Sequence, residues 1–329
     1  MGDMIMTSAN KKWIGAGLLT AGVATACASH AITELLVQLA INRKCPAFGA
    51  LAQAAIKASD CPLEFLKAVE KSAEELEKKP HQQVQIPAKD GTLLVGHWFR
   101  SPNPERIVVA MHGWRSGWNW DFGMAAPFLL EQGCSILFAE QRGQGGSGGE
   151  YMGLGALERH DCMKWVQWVN ENRNPQNLPL YLAGISMGAS TVMMCADMDL
   201  PDNVKGIIAD CGFTSPRDIC KHVVEHNLHL SFRIREHIAD LLCKKRNKTG
   251  LLAGSAKQSL SKSKVPVLFI HGSDDCFVPV SMTFENYKAC RSPKTLFIVP
   301  GADHGMSYYT DRAGYEKALL RFWALNDAP

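Results

Sequence analysis

The sequence carries little net charge. Lys and Arg number 35 against 32 Asp and Glu, a formal +3 at neutral pH. So even a balance excludes whole-chain electrostatic binding to nucleic acid, which needs a strongly basic face. Paired cysteine spacing is missing too. The 11 cysteines are scattered and odd in number, which excludes a disulfide framework and a CxxC…CxxC zinc site. They read as small apolar side chains in a reducing compartment. Internal repeats and long low-complexity segments are also lacking.

A full-length apolar run is lacking near the N-terminus, where one would serve as an anchor. Trp13 to Ser29 is uncharged and follows Lys11 and Lys12, but it is rich in Ala, Gly and Thr. It falls short of the about 20 apolar residues that span a bilayer. Basic residues ahead of such a stretch are the pattern of a signal peptide or signal anchor. The continuation, Ala31 to Ile41, sets Ile32, Leu35, Leu36 and Leu39 at helical spacing, with Glu34 and Gln38 between them. The expectation is one uncleaved N-terminal helix that anchors the chain to a membrane. A signal cleaved after Ala24-Thr25-Ala26 and a helix packed on the following domain stand as alternatives. Arg43 and Lys44 after the run balance Lys11 and Lys12 before it, so the side of the membrane stays open. Cys27 resembles a lipoprotein acceptor only faintly, because alanine stands three positions earlier.

Residues 1–45 therefore read as the anchor or signal-like helix and 46–81 as a helical connecting arm. In the arm, Asp60-Cys61-Pro62 opens a helix and Pro80 stops it. Its apolar face is Leu63, Leu66, Val69, Ala73 and Leu76. From residue 82 to 329 the pattern changes. Two strands flank the turn signal Asp90-Gly91. Apolar runs then alternate with helical segments: Ile107–Met111, Ser135–Ala139, Leu178–Ile185, Val204–Ala209, Val265–Ile270 and Thr295–Val299. Such runs between helices predict a mostly parallel sheet buried on both faces. The interval of about 214–264 is too long for an ordinary connection and reads as a helical cap insertion.

Gly184-Ile185-Ser186-Met187-Gly188 lies where an apolar strand runs into a helical segment. That context makes Gly-x-Ser-x-Gly a nucleophile elbow. A serine hydroxyl is a weak nucleophile until a base takes its proton and a third group orients the base. The glycine-flanked His304, past the last strand run, is placed to be that base. For the acid, the spacing of His271-Gly272 to Val278-Pro279 favours Asp275, with Asp274 and Asp210 as alternatives. The oxyanion hole calls for backbone amides. Met187, after the nucleophile, and Trp114, in the loop after an early strand, supply them in this reading. Trp118, Trp120 and Phe122 are candidates for an apolar acyl pocket, although ordinary packing would also use them. His112 reads as a loop brace.

Three further patterns carry less. Glu140 to Ser147 is glycine-rich but lacks the Lys-Ser/Thr end of a P-loop, so it reads as a loop braced by Arg142. His222-Val223-Val224-Glu225-His226 matches an inverted zinc motif without a marked third ligand. Lys244-Lys245-Arg246-Asn247-Lys248 reads as a solvated cap face, and Asn247-Lys248-Thr249 is a glycosylation sequon.

An antiparallel hairpin, then a parallel array with the elbow after a central strand, gives an α/β-hydrolase architecture. Five stretches carry a closer resemblance: His112-Gly113-Trp114, Arg142 to Ser147, Gly184 to Gly188, His271 to Pro279, and Gly301-Ala302-Asp303-His304-Gly305. From about Val84 to Leu325 the chain resembles α/β-hydrolase superfamily serine hydrolases. It is most similar to the bacterial serine-aminopeptidase-like and esterase-like branch, some of whose members have an N-terminal membrane anchor. Many relatives carry an aspartate where Glu140 or Gln141 stands. The resemblance implies hydrolysis of an ester, amide or thioester without a cofactor or metal. The expected function is a carboxylesterase with the triad Ser186, His304 and Asp275. Peptidase, thioesterase and a non-catalytic binding protein are alternatives. The expected partner is a small-molecule acyl substrate or a peptide, with no nucleic acid and with membrane association through the N-terminal helix.

Overall fold

A computed structural model of the chain describes residues 27–45 and 62–327. The apolar runs become eight strands of one sheet: β1 (Gln82–Pro87), β2 (Leu93–Phe99), β3 (Arg106–Met111), β4 (Cys134–Glu140), β5 (Leu180–Ile185), β6 (Val204–Asp210), β7 (Val267–Gly272) and β8 (Lys294–Val299). They lie in the order β1-β2-β4-β3-β5-β6-β7-β8. β2 pairs antiparallel with β1 and β4, and every later pairing is parallel. This is the expected α/β-hydrolase fold. All six residues of β3 are buried. Their side chains alternate, with Ile107, Val109 and Met111 in the core on one face and Val108 and Ala110 in the core on the other. That is the period-two signature of a strand covered on both sides.

The helices in chain order begin with α1 (residues 27–41), α2 (Leu63–Glu77), α3 (Trp118–Phe122), α4 (Ala126–Glu131), α5 (Glu158–Asn172) and α6 (Met187–Met194). There follow α7 (Pro216–His222), α8 (Phe232–Asn247), α9 (Ala256–Leu260), α10 (Val280–Ala289), α11 (Ser307–Thr310) and α12 (Arg312–Asn326). Between α7 and α8 the chain widens into a π-type turn, in which the Leu228 amide donates to the Val223 carbonyl at 3.0 Å. In α2 the buried residues are Val69, Ala73 and Leu76, whereas Leu63 is exposed. The proposed cap of that helix, Asp60, lies outside the described residues.

The expected membrane anchor is corrected. Among the described residues, no helix is long and apolar enough to cross a membrane. The run from Trp13 to residue 26, with Lys11 and Lys12 before it, lies outside them. Its continuation, α1, packs on the hydrophobic core beside the sheet, with Thr33, Val37 and Ile41 buried while Ile32 and Leu35 face outward. Apolar spacing gave this helix a face but placed it about one position off. The reason is that the cavity and core beside α1 take Thr33 and Val37, residues that read as weaker signals than Ile32 and Leu35.

Strand order reverses at β3. After β3 the chain adds β4 on one side and β5 on the other, a topological switch point whose crevice lies beyond the strand C-termini. The loops after β3 and β5 meet there.

Candidate active site

Ser186 follows β5 and caps α6, with φ 55° and ψ −116°. A non-glycine residue in that region is strained and persists only where its surroundings hold it. Here the neighbours leave no other path. A Cβ at Gly184 would overlap the backbone of Gly188, and one at Gly188 would overlap the Met111 carbonyl. The Ser186 amide donates to the Asp210 carbonyl at 2.9 Å. The turn is therefore clamped between β3 and β6, and the hydroxyl points into the crevice.

The loops after β7 and β8 bring the expected partners to it. His304 Nε2 lies 2.9 Å from Ser186 Oγ, and His304 Nδ1 lies 2.7 Å from Asp275 Oδ2. An ionised carboxylate only accepts, so in the neutral ring Nδ1 carries the proton and Nε2 is left to accept from the serine hydroxyl. Asp275 is buried. Its Oδ1 accepts from the amides of Phe277 and Val278 at 2.9 and 2.8 Å. Burial opposes its charge, but hydrogen bonds from His271 and His304 outweigh it and hold its pKa well below the usual carboxylate range. For His304, burial favours the neutral ring. Cys211 and Asp275 act the other way and prevail, raising its pKa well above the ordinary histidine value.

The two competing acids lie elsewhere. Asp274 is exposed and accepts from Ser273 Oγ at 2.6 Å. Asp210 accepts from Ser307 Oγ at 3.0 Å, and its burial pushes its pKa up to about 6.

Met187 is the first residue of α6, so its amide is among those with no partner inside the helix. The loop after β3 runs alongside: a Cβ at Gly113 would come within 3.3 Å of Ser186 Cβ. The Gly113 amide donates to Asp121 Oδ2 at 2.5 Å. His112 is buried and braces this loop. Its Nε2 accepts from the Gln141 amide at 3.1 Å and its Nδ1 donates to the Gly113 carbonyl at 2.8 Å. Burial keeps its pKa low, consistent with that neutral ring.

Trp118, Trp120 and Phe122 do not line the cavity at Ser186, which corrects the expected acyl pocket. Trp118 is buried and stacks on His97 at 4.2 Å between ring centroids, and Phe122 packs on Phe138 at 5.4 Å. Trp120 is exposed. The short helix they form has its own task, since it carries Asp121 to the Gly113 amide.

The cavity that does open on Ser186 has a volume of about 320 Å³. Trp114 and Phe277 stand in its wall, stacked with centroids 6.4 Å apart, and Phe277 meets the His304 ring edge-on at 5.2 Å. The remaining wall comes from α1, from the segment 214–264, and from Leu154 and Phe213. Its polar side chains are Thr33, Ser186 and Arg235, beside Cys220 and Cys243.

Sequence reasoning overlooked three contributors. His271 shares its Nε2 proton between Asp275 Oδ2 at 3.0 Å and the Val278 carbonyl at 2.8 Å. Its position four residues before Asp275, at the end of an apolar strand, was the available signal. Cys211 brings its Sγ, with one atom each of Asp275 and His304, into a group spanning at most 4.8 Å. Burial pushes that thiol up to about 11. The residues of α1 left no local signal, because a helix period does not say what the helix covers.

The minor motifs settle into structural roles. Arg142 grips Asp161 through two bonds of 2.5 and 2.6 Å and reaches Asp90 at 2.8 Å. His222 and His226 stack at 4.8 Å between centroids at the end of α7 and the π turn. Arg246 pairs with Glu34 of α1, and the Asn247 side-chain amide donates to the Met152 carbonyl at 3.0 Å.

Comparison with known proteins bears on the family and the fold. Residues 120–327 match the prolyl oligopeptidase family. YqkD of Bacillus subtilis, an uncharacterized protein, is 32% identical over 198 residues, or 59% of this chain and 63% of that protein. The match thus spans less than two thirds of that relative. YfhR of Escherichia coli O157:H7, also uncharacterized, is 24% identical across 73% of this chain and 80% of its own. Among solved structures, the Pyrococcus furiosus esterase Pf2001 superposes with a TM-score of 0.61 at 20% identity, covering 78% of this chain and 96% of that one. Est1E of Butyrivibrio proteoclasticus, solved with ferulic acid bound, gives 0.57 at 20% identity, covering 73% and 99%. The fold, the family match over most of the chain and the serine elbow agree: the chain belongs to the prolyl oligopeptidase family and is a serine hydrolase of the α/β-hydrolase superfamily.

Proposed function

We propose that the protein hydrolyses carboxylic esters through a Ser186–His304–Asp275 triad and an acyl-enzyme intermediate. The observation that carries this reading is the unbroken hydrogen-bonded line from Ser186 Oγ through His304 to Asp275 Oδ2, with steps of 2.9 and 2.7 Å. Ser186 Oγ attacks the acyl carbon while His304 Nε2 takes its proton. The amides of Met187 and Trp114 hold the negative oxygen of the tetrahedral intermediate. His304 passes the proton to the leaving alcohol. Water, deprotonated by His304, then attacks the acyl-enzyme, releases the acid and restores Ser186. Asp275 orients the imidazole and stabilises its charged form. The segment 214–264 serves as a cap over the site, and the chemistry needs no cofactor.

The family match also supports a peptidase. The lining of the cavity favours an ester over a peptide. An extended peptide needs backbone partners, and a free α-amino group needs a carboxylate. The described lining is largely apolar and contains no Asp or Glu.

Labelling with a fluorophosphonate tests the reading. Wild-type protein should be labelled and Ser186→Ala should not; equal labelling of the two would overturn it. On a matched panel, turnover should favour the ester over the amide and the thioester.

A further inference from the structure

We propose that α1 is a working wall of the substrate pocket, and that the substrate's acyl group is an extended apolar chain lying between α1 and the cap. This rests on the ester-hydrolase reading and deepens it.

The cavity at Ser186 is bounded on one side by Leu36, Val37 and Ala40 of α1, and on the other by Val224, Phe232 and Ala239 of the cap. Val37 is buried in the core, but Leu36 and Ala40 remain partly uncovered where they face the cavity. A helix attached only for stability would cover that surface, and contiguous uncovered apolar surface in a concave site marks a ligand groove. The volume of about 320 Å³ lies at the small end of the range for ligand pockets. It suits a hydrocarbon chain better than a bulky polar group.

The wall is also fastened to the catalytic loop. The last carbonyls of a helix have no partner inside it. Here they accept from the loop after β3: the Ala40 carbonyl from Trp114 Nε1 at 2.7 Å, and those of Leu39 and Asn42 from the Arg115 guanidinium at 2.9 and 2.6 Å. A cation at the negative end of a helix is favourable. On its other flank α1 is held to the cap by Glu34 and Arg246. Any chain that fills the groove therefore touches a surface coupled to the loop beside Ser186.

The experiment measures kcat/KM for p-nitrophenyl acetate, butyrate, octanoate and dodecanoate. In wild-type protein it should rise by about fourfold per added methylene until the cavity is filled. Leu36→Trp should lower the octanoate-to-acetate ratio by about tenfold or more. Leu35→Ser, on the outward face of the same helix, should leave the ratio as in wild type. Should Leu36→Trp fail to fold, Leu36→Ala provides the opposite reading: a larger groove shifts preference from octanoate toward dodecanoate. A flat chain-length profile in protein that fluorophosphonate still labels would overturn the acyl-wall proposal and leave the hydrolase reading standing. Equal response to Leu35→Ser and Leu36→Trp would do the same. Absence of labelling would remove both.

Discussion

Trp114 Nε1 donates to the carbonyl of Ala40, a residue 74 positions earlier, at 2.7 Å. The bond fixes an indole that stands in the cavity wall beside Ser186. Trp114→Phe keeps an aromatic ring and removes the donor, leaving a helix-end carbonyl without this partner. The expected cost is about 1 kcal/mol of stability by urea denaturation, together with weaker discrimination between long and short esters. Unchanged stability and selectivity would show the bond to be incidental.

Asp275 and Asp274 are adjacent in sequence and opposite in environment, and substitution should separate them. Asp275→Asn presents an amide to His304 and favours the wrong tautomer. The expected fall in kcat is on the order of ten-thousandfold, as for the equivalent change in other triads. Asp274→Asn, at an exposed position, should stay near wild type. A comparable loss from Asp274→Asn would move the acid role away from Asp275.

The pH profile follows from the direction of the His304 shift. A general base must be neutral to act, and the pKa of His304 is raised. Activity should be low where the ring is charged and rise with pH through that pKa. The acid limb of kcat/KM should therefore lie above the ordinary histidine value of about 6.5. Asp275, with its lowered pKa, stays ionised across this range and adds no second step. A limb centred below the ordinary value would contradict the environment described for His304.

Gly188 has no room for a side chain, because an added Cβ would overlap the Met111 carbonyl at the end of β3. Gly188→Ala must push β3 and the elbow apart. A cost of about 3 kcal/mol, the upper part of the usual overpacking range, should appear as a lower Tm together with loss of fluorophosphonate labelling. Wild-type labelling would mean that the elbow tolerates relaxation.

Arg142 and Asp161 form a buried ion pair, with side-chain exposures of 8% and 3%. Removing one partner leaves the other charge without full compensation. Asp161→Asn should therefore cost about 3–5 kcal/mol, read as a shift in the urea midpoint. A change of a few tenths would indicate that Asp90 alone satisfies the arginine.

Some of this was legible in the sequence for identifiable reasons. Strands buried on both faces, such as Ile107 to Met111, announce themselves as unbroken apolar runs. Ser186, Asp275 and His304 stood out because each follows such a run in a loop with glycine nearby, and the fold gathers strand ends at one edge. Packing partners were less visible. The aromatics at Trp118 and Phe122 resembled a pocket, but their rings complete a core with Phe138 and His97. The anchor-like composition near the N-terminus hid the role of α1, because apolar side chains covering a ligand groove and those facing lipid look alike in one dimension. His271 served only as a spacing marker for Asp275, because its contribution is a single shared proton between Asp275 and the Val278 carbonyl.

The family match begins at residue 120. It takes in Ser186, Asp275, His304 and the segment 214–264, but excludes Trp114 and all of α1. The proposed acyl wall and one of the two proposed oxyanion donors thus lie outside the matched region. Relatives that share the matched region can still differ in residues 27–41, and such differences would reach the loop after β3 through the carbonyls of Leu39, Ala40 and Asn42. For engineering, α1 is the place to alter acyl preference. Expression designs that start at the first strand would discard Thr33, Leu36, Val37, Leu39 and Ala40 from the groove lining.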